Sequence, residues 1–199
     1  MNNKHNICVF GASSSNIDRA FFDDAYEVGR LIASSGFGLV FGAGDSGLMG
    51  SAARGCRDAG GNVYGVIPKK LNVPGIYYEN CTERIETATM HERKAAMEAM
   101  SCGFIAMGGG FGTIEEFMEV LTLKQLGYMD TAIVLLNTCG YFDFLIAQLE
   151  KCVSCGFTHG DFSTIYHVAQ TPAEAVNYCI NYKGMNIRDK LKDAVEKQK

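Results

Sequence analysis

Short apolar runs alternate with segments of helical periodicity along most of this chain. The runs that suit strands are His5–Gly11, Phe37–Phe41, Asn62–Ile67, Arg84–Glu86, Cys102–Met107, Ala132–Leu136 and Thr164–Val168. The segments that suit helices are Ile17–Ser34, Leu48–Ala59, Met90–Ser101, Ile114–Leu126, Phe142–Val153 and a helix from Ala173. Strand and helix patterns that alternate in this way are typical of a parallel sheet covered on both faces. The sequence therefore predicts an α/β fold with a doubly wound, mostly parallel sheet.

Composition favours one compact domain. The chain has 199 residues, of which 47% are hydrophobic and only three are proline, so it is long enough to bury a full core. We expect the domain to span residues 1–185, and the charged segment 186–199 to form a separate helix or tail.

The net charge and the hydropathy of the chain argue against nucleic-acid and membrane partners. The formal charge is −4, and binding along a nucleic-acid backbone needs a basic face, so we expect no nucleic-acid partner. We find no apolar run long enough to span a bilayer and no signal-peptide core, which predicts a cytoplasmic protein without a membrane partner. A small anionic ligand remains compatible with this charge.

The eight cysteines lie mostly within apolar segments, which favours reduced thiols over disulfides. Cys152 and Cys155 form a single C-x-x-C pair, with His159 and His167 downstream. A closed zinc site needs four placed ligands. We therefore predict no metal site, and interpret the pair as thiols at the end of a helix.

The segment from Met107 to Glu116 combines a strand end, a glycine-rich loop and a helix start. Glycines leave room for a ligand to approach the backbone. If Thr113 opens the helix, the N–H groups of the first turn and the helix dipole would attract an anion such as a phosphate. This segment therefore predicts a phosphate-binding loop.

Two further loops follow predicted strands, at Gly11–Ser15 and at Gly42–Gly47. In an open parallel sheet such loops gather at one edge and form the ligand crevice. Neither loop makes a regular G-x-G-x-x-G fingerprint. We therefore expect no redox cofactor.

Arg93 lies on the apolar stripe of its predicted helix. Thr89 and Glu92 have the spacing of a capping box, which fixes the helix start, and Met90, Arg93, Met97 and Met100 then share one face. A guanidinium in that position can hold a phosphate or a carboxylate in bidentate fashion. An internal ion pair or an extended surface side chain is an equal alternative.

Glu116 also has two interpretations. Thr113 and Glu116 have capping-box spacing, so Glu116 closes that box or faces a ligand bound at the loop. Glu115 and Glu119 lie one turn apart and are interpreted as a solvated face. His91 is interpreted as a polar surface group, because no other histidine motif supports a triad.

Taken together, these motifs resemble those of the Lonely Guy (LOG) proteins, often described as lysine decarboxylase-like. Their paired signature is M-H-x-R-K followed by P-G-G-x-G-T-x-x-E, and this chain has Met90–Lys94 and Gly108–Glu116. The loops after Val9-Phe10 and Val40-Phe41 also resemble those of the family. Two linked motifs in the right order are more specific than either alone.

The resemblance implies a Rossmann-like fold, a homodimer whose interface helps form each active site, and no cofactor. It also implies hydrolysis of the N-glycosidic bond of a cytokinin riboside 5′-monophosphate to free base and ribose 5-phosphate. Arg93 and Glu116 take the catalytic roles. Residues assigned to binding of the nucleoside 5′-monophosphate and its phosphate are Ser13, Gly44, Met90, Lys94, Gly109, Gly110, Gly112 and Thr113.

Chemistry suggests a division of roles. A carboxylate at Glu116 would stabilise positive charge on the sugar and orient water, while Arg93 either orients Glu116 or contacts the nucleotide. Lysine decarboxylation normally needs pyridoxal phosphate and a Schiff-base lysine, and no lysine is placed for that. A broader purine nucleotide nucleosidase and a non-catalytic nucleotide-binding module are the alternatives.

Two positions depart from the family pattern. Gly108 replaces the proline that opens the second motif, and Ala43 replaces a glycine of the second loop. Both changes leave the paired signature residues in place. They bear on affinity and on the preferred base rather than on the type of reaction.

Overall fold

The computed structural model describes residues 5–158 and 165–185. Within these ranges it has seven strands: β1 (Asn6–Phe10), β2 (Gly38–Phe41), β3 (Val63–Pro68), β4 (Glu83–Thr87), β5 (Gly103–Ala106), β6 (Ala132–Leu136) and β7 (His167–Ala169). The α-helices there are α1 (Arg19–Ser34), α2 (Gly47–Asp58), α3 (Met90–Met100), α4 (Phe111–Gln125), α5 (Asp143–Ser154) and α6 (Pro172–Asn181).

All seven strands form one parallel sheet in the order β4-β3-β2-β1-β5-β6-β7. The chain runs outward from β1 to β4, and then returns to place β5 on the other side of β1. Cys8 pairs with Val40 on β2 and with Phe104 on β5. This reversal between β1 and β5 is the point at which doubly wound sheets bind ligands.

Helices cover both faces of the sheet. One core cluster packs α1, α2 and α6 on one face, around residues such as Val28, Ala52 and Val176. The other cluster packs α3, α4 and α5 on the opposite face, around Met97 and Phe117. The predicted doubly wound α/β fold is thus confirmed.

Glycines bring α1 and α2 into close contact. A Cβ at Gly29 would lie 1.9 Å from the carbonyl oxygen of Ala52, and one at Gly55 would lie 2.0 Å from that of Tyr26. Larger residues at these two positions would push the helices apart. The close pairing fixes α2, whose first residue follows the second glycine-rich loop.

The predicted elements from β1 to α6 are confirmed, with shifts at their ends. The last strand begins at His167 rather than near Thr164, and Thr164 lies outside the described residues. The segment 186–199, predicted as a charged helix or tail, also lies outside them. Among the described residues no helix is both long and apolar enough to cross a bilayer. A cytoplasmic location stays a prediction.

Candidate active site

Arg93 and Glu116 form a buried ion pair between α3 and α4. Arg93 Nη1 donates to Glu116 Oε1 at 3.0 Å, and Arg93 Nε donates to the Val66 carbonyl oxygen of β3 at 3.2 Å. The two residues are only 7% and 9% exposed. The Arg93 guanidinium is therefore paired with the Glu116 carboxylate, and its role toward a nucleotide stays a prediction.

Opposing influences act on the carboxyl group of Glu116. Burial raises its pKa, Arg93 lowers it, the neighbouring Glu115 raises it and Lys94 lowers it, and the net result is a raised pKa. A raised pKa that also depends on a specific partner is common for glutamates in active sites. Glu116 thus has the environment expected of a functional carboxylate.

Gly42 provides the space that the guanidinium occupies. A Cβ at Gly42 would lie 1.7 Å from Arg93 Nη2 and 2.9 Å from its Cζ. Because only glycine lacks this atom, the loop after β2 can pass directly against the arginine. This role was missed at the sequence level, where Gly42 was interpreted only as part of a glycine-rich loop.

The glycine-rich loop after β5 leads into α4 three residues earlier than predicted. Gly110 is the N-cap and Phe111 is the first helical residue, so Thr113 lies in the first turn and does not cap the helix. The predicted capping box of Thr113 and Glu116 is therefore wrong. Glycine is an accepted N-cap residue, and the Glu116 carboxylate is bonded to Arg93 instead of to the helix start.

The first turn of α4 has open space beside two of its glycines. A Cβ at Gly110 or Gly112 would meet nothing within 4 Å, whereas one at Gly109 would lie 2.1 Å from Thr113 Oγ1. Gly109 therefore packs against Thr113, while Gly110 and Gly112 face open space. The first N–H groups of a helix have no partner within the helix, and with the helix dipole they attract anions.

The loops after β1 and β2 lie beside this turn, as predicted. The Ala12 amide donates to the Gly108 carbonyl at 3.0 Å, and the Leu48 amide donates to Ala12 at 2.8 Å. Gly47 has a φ of +66°, and a Cβ there would lie 2.8 Å from Ser13 Cα. Exposed Ser13 therefore lies on a loop held between the helix starts of α2 and α4.

The other predicted site residues, Gly44, Met90 and Lys94, each lie in a different environment. Gly44 is half-buried and forms a bridge to Tyr77. Met90 is 46% exposed at the first residue of α3, so it does not share the burial predicted for its stripe. Lys94 is paired with Glu115 and Glu119. Glu115 is exposed, as the interpretation of a solvated face predicts, but both glutamates also pair with Lys94, which that interpretation did not include.

Tyr141 is a neighbour of the loop that the sequence analysis missed. Its hydroxyl donates to the Gly109 carbonyl at 2.6 Å, and its ring packs edge-on against Phe21 at 5.8 Å. Together with Ile17 they line a cavity of about 160 Å³ beside Gly108–Gly110. The tyrosine follows β6, so the rule that groups the loops after parallel strands also applies to this loop.

The cysteines agree with the thiol interpretation. All eight lie among the described residues, and none forms a disulfide. Cys152 lies on α5 and Cys155 directly follows that helix, while His167 is bonded to Glu174 at 2.8 Å. The structure as described, which leaves out His159, has no group of histidine, cysteine and acidic residues suited to a metal ion.

Comparison with known proteins identifies the relatives of this site. The model of the family described as "Possible lysine decarboxylase" matches residues 49–179. A probable cytokinin riboside 5′-monophosphate phosphoribohydrolase from Oryza sativa subsp. japonica is 44% identical over 151 residues, covering 76% of this chain and 66% of the relative. A cytokinin riboside 5′-monophosphate phosphoribohydrolase from Arabidopsis thaliana is 38% identical, covering 90% of this chain and 79% of the relative.

The chain belongs to the Lonely Guy family. Among solved structures, the molybdenum cofactor binding protein from the phototrophic bacterium Rippkaea orientalis is similar to it with a TM-score of 0.69 at 22% identity. That match covers 89% of this chain and 96% of the other. At this identity the likeness concerns the fold alone.

The two departures from the Lonely Guy pattern have different surroundings. Ala43 has a φ of +60°, a left-handed conformation that favours glycine. At Gly108, a Cβ would lie 3.0 Å from Cδ1 of Phe21. Phe21 therefore leaves little room at this position for the proline ring that the family pattern has in place of Gly108.

Proposed function

We propose that this chain hydrolyses the N-glycosidic bond of nucleoside 5′-monophosphates that carry an N6-modified adenine. The products are the free base, a cytokinin, and ribose 5-phosphate. The observation that carries this proposal is the buried Arg93–Glu116 pair on the helices α3 and α4, with the open first turn of α4 nearby. The names of the relatives support the same reaction.

Each part of the site has a role in this reaction. Cleavage of a ribosyl C–N bond develops positive charge on the sugar, which a nearby carboxylate stabilises. We assign that role to Glu116, together with orientation of the attacking water. Arg93 holds the carboxylate in place and keeps it ionised. Water supplies a hydroxyl group to the anomeric carbon and a proton to the departing base.

Binding of the phosphate fixes the sugar relative to Glu116. The amides of Phe111, Gly112 and Thr113 at the start of α4 suit the 5′-phosphate, because a helix N-terminus attracts anions. Ser13, Gly109 and Gly110 belong to the loops on either side. Anchoring one end of the nucleotide turns binding energy into orientation at the bond that breaks.

Lysine decarboxylation, suggested by the description of the family model, fits these residues poorly. Schiff-base chemistry needs an accessible amine. Lys94 is bonded to two carboxylates, and Lys124 is 0% exposed and donates to the Thr131 carbonyl. Neither lysine presents such an amine.

The test uses AMP and N6-isopentenyl AMP as substrates for the purified protein, with free base and ribose 5-phosphate as the readouts. We expect both products to appear in equal amounts. The Glu116→Gln variant should bind nucleotide but lose at least about 100-fold in turnover, the usual contribution of a positioned acid–base group. Glu150→Gln is the matched control, because it makes the same change at an exposed glutamate of α5 that contacts neither Arg93 nor Lys94.

The outcomes separate the alternatives. A pocket that binds the N6 group would favour N6-isopentenyl AMP by about 0.8 kcal/mol for each methylene that it buries. Similar rates with both substrates would mean that no such pocket acts, and would indicate a broader purine nucleotide nucleosidase. Nucleotide binding without release of base would indicate a non-catalytic binding module. Full turnover by Glu116→Gln would contradict the assigned mechanism.

We also propose that the protein is a homodimer with its interface near the active site. Phe111, the first residue of α4, is 95% exposed, and Phe144 near the start of α5 is 91% exposed. Large apolar side chains at this exposure favour a covering partner. A second copy of the chain is the partner that the family resemblance implies.

A further inference from the structure

Lys94 forms a second link between the helices that carry the catalytic pair. Its Nζ lies 2.7 Å from Glu119 Oε2 and is also hydrogen-bonded to Glu115 Oε1. The lysine side chain is 11% exposed. Burial lowers the pKa of Lys94, but the two carboxylates outweigh burial and raise it above the ordinary value. The amine is therefore a firmly held ammonium group.

The two links are adjacent along both helices. Arg93 and Lys94 are neighbours on α3, and their partners Glu116 and Glu115 are neighbours on α4. Glu115 therefore places a negative charge next to the catalytic carboxylate, and Lys94 offsets that charge. An ammonium group engaged with two carboxylates is poorly placed to bind a phosphate as well.

We propose that Lys94 is a positioning residue, which neutralises Glu115 and Glu119 and thereby holds Glu116 as a carboxylate bonded to Arg93. This inference rests on the proposed function. It replaces the predicted role of Lys94 in phosphate binding. The residue acts through Glu116 and does not touch the nucleotide.

The charges around Glu116 come from three elements. Arg93 and Lys94 approach from α3, and Glu115 and Glu119 lie on α4. On β1, the Cys8 thiol is completely buried, and burial raises its pKa, so it remains neutral. Glu115 raises the pKa of Glu116 and Lys94 lowers it. Removing either charge should therefore shift the titration of Glu116, in opposite directions.

The experiment measures kcat/KM against pH with N6-isopentenyl AMP for wild type, Lys94→Met, Glu115→Gln, the double variant and Lys94→Arg. Activity requires ionised Glu116, so it falls as the pH drops through the pKa of that group. We expect this acid limb to move to higher pH in Lys94→Met and to lower pH in Glu115→Gln. The double variant should lie between the two, and Lys94→Arg should resemble wild type. Titration of the substrate phosphate is common to all variants and cancels in the comparison.

Lys183→Met is the control for net charge, because Lys183 is an exposed cation after α6, a helix that supplies no site residue; its acid limb should not move. Glu115→Gln keeps the test decisive if Lys94→Met fails to fold, because the Glu115 side chain is 57% exposed.

A KM raised about tenfold in Lys94→Met with an unmoved acid limb would restore the phosphate-binding role and overturn the proposal. If Lys94→Met and Glu115→Gln lose kcat equally and their acid limbs do not move in opposite directions, the proposal is also overturned. The contact of Lys94 with α4 would then be purely structural. Absence of turnover in the wild type would instead remove the proposed function itself.

Discussion

Ala43 holds a backbone conformation that most residues avoid. Its φ of +60° is found in the loop that follows β2, and its carbonyl accepts a hydrogen bond from the Tyr78 amide at 2.8 Å. A left-handed conformation costs an ordinary residue about 1–2 kcal/mol. This bond fastens the loop between β3 and β4 to Ala43, so the strain persists in the folded chain.

We expect Ala43→Gly to stabilise the protein by about 0.5–1 kcal/mol, because relief of this strain exceeds the loss of one buried methyl group. Ala53→Gly is the matched control, since Ala53 is equally buried but lies within α2. That change should destabilise by about 1–2 kcal/mol. Urea unfolding of both variants measures the difference. Destabilisation by both changes would show that Ala43 is not strained.

Glu116 itself should titrate above the ordinary range of a glutamate. Burial raises the pKa, and Arg93 only partly opposes this effect. Because the proposed mechanism requires the carboxylate form, turnover should decline on the acid side at a higher pH than an ordinary glutamate would give. NMR titration of ¹³C-labelled glutamate, with Glu116→Gln to assign the signal, measures the pKa directly. A value at or below the ordinary range would contradict the inferred balance of burial and pairing.

Gly42 should tolerate no side chain beside Arg93. We expect Gly42→Ala to displace the guanidinium, to cost about 1–3 kcal/mol of stability through overpacking, and to lower turnover at least tenfold. Gly60→Ala is the control for glycine replacement, because a Cβ there meets nothing, although its φ of +78° adds backbone strain. Turnover of Gly60→Ala should stay at the wild-type level despite lower stability. Wild-type turnover in Gly42→Ala would show that Arg93 has another way to reach Glu116.

At the level of elements, two helices begin with the same capping arrangement. Thr89 accepts from the Glu92 amide at 3.1 Å, while Glu92 accepts from the Ala88 amide at 2.8 Å. At α6, Thr171 and Glu174 repeat this geometry at 3.2 and 2.8 Å. The first cap fixes the start of the helix that carries Arg93, whereas the second lies on a helix that supplies no site residue.

Loss of either cap should cost about 1 kcal/mol of stability. Only Thr89→Ala should also lower kcat, because its helix positions Arg93 against Glu116. Thr171→Ala is the matched control. Thermal unfolding and turnover at 25 °C, well below the transition, separate the two effects. Equal kcat in both variants would mean that the start of α3 does not set the position of Arg93.

The sequence predicted α3 well and the start of α4 poorly, for a physical reason. The box of Thr89 and Glu92 is a local arrangement, so the spacing alone identifies it. Thr113 and Glu116 have the same spacing, but Glu116 is bonded to Arg93 on another helix. A local pattern cannot indicate such a partner. The same limit applies to Lys94, whose two carboxylates lie on α4.

At the scale of the whole molecule, the strand order was only partly predictable. Alternation of apolar runs and helices predicts a parallel sheet covered on both faces, because each strand needs a crossover. The alternation does not determine that β5 lies beside β1, because the sequence of neither strand identifies its pairing partner. That placement brings the Gly108 carbonyl to the Ala12 amide. The gathering of the loops was predicted from the general behaviour of such sheets.

Exposed apolar side chains concentrate on α4, α5 and the segments after them. Phe144, Phe157 and Tyr128 are 91%, 83% and 77% exposed, and an apolar groove of about 310 Å³ lies between the two helices, lined by residues such as Met118 and Leu149. A stable interface buries about 1,600 Å² in total. This face is where we expect the second copy of the proposed homodimer to bind.

Phe144→Ser should weaken that dimer at least tenfold, because burial of a phenylalanine contributes about 1.5–3 kcal/mol. Leu71→Ser is the control, since Leu71 is 43% exposed on a different surface. Sedimentation velocity over a concentration series measures both dissociation constants. A wild-type chain that stays monomeric at 100 µM would contradict the dimer.

The position of β1 also dictates an order of assembly. During synthesis β2 is made before β5, so β1 can pair with β2 while its other edge stays open until β5 is made. An open strand edge can pair with other chains. Glu116 follows β5, so a growing chain closes this edge and gains the proposed catalytic carboxylate at nearly the same stage of synthesis. A nascent polypeptide that stalls before β5 would therefore be inactive and also prone to aggregate.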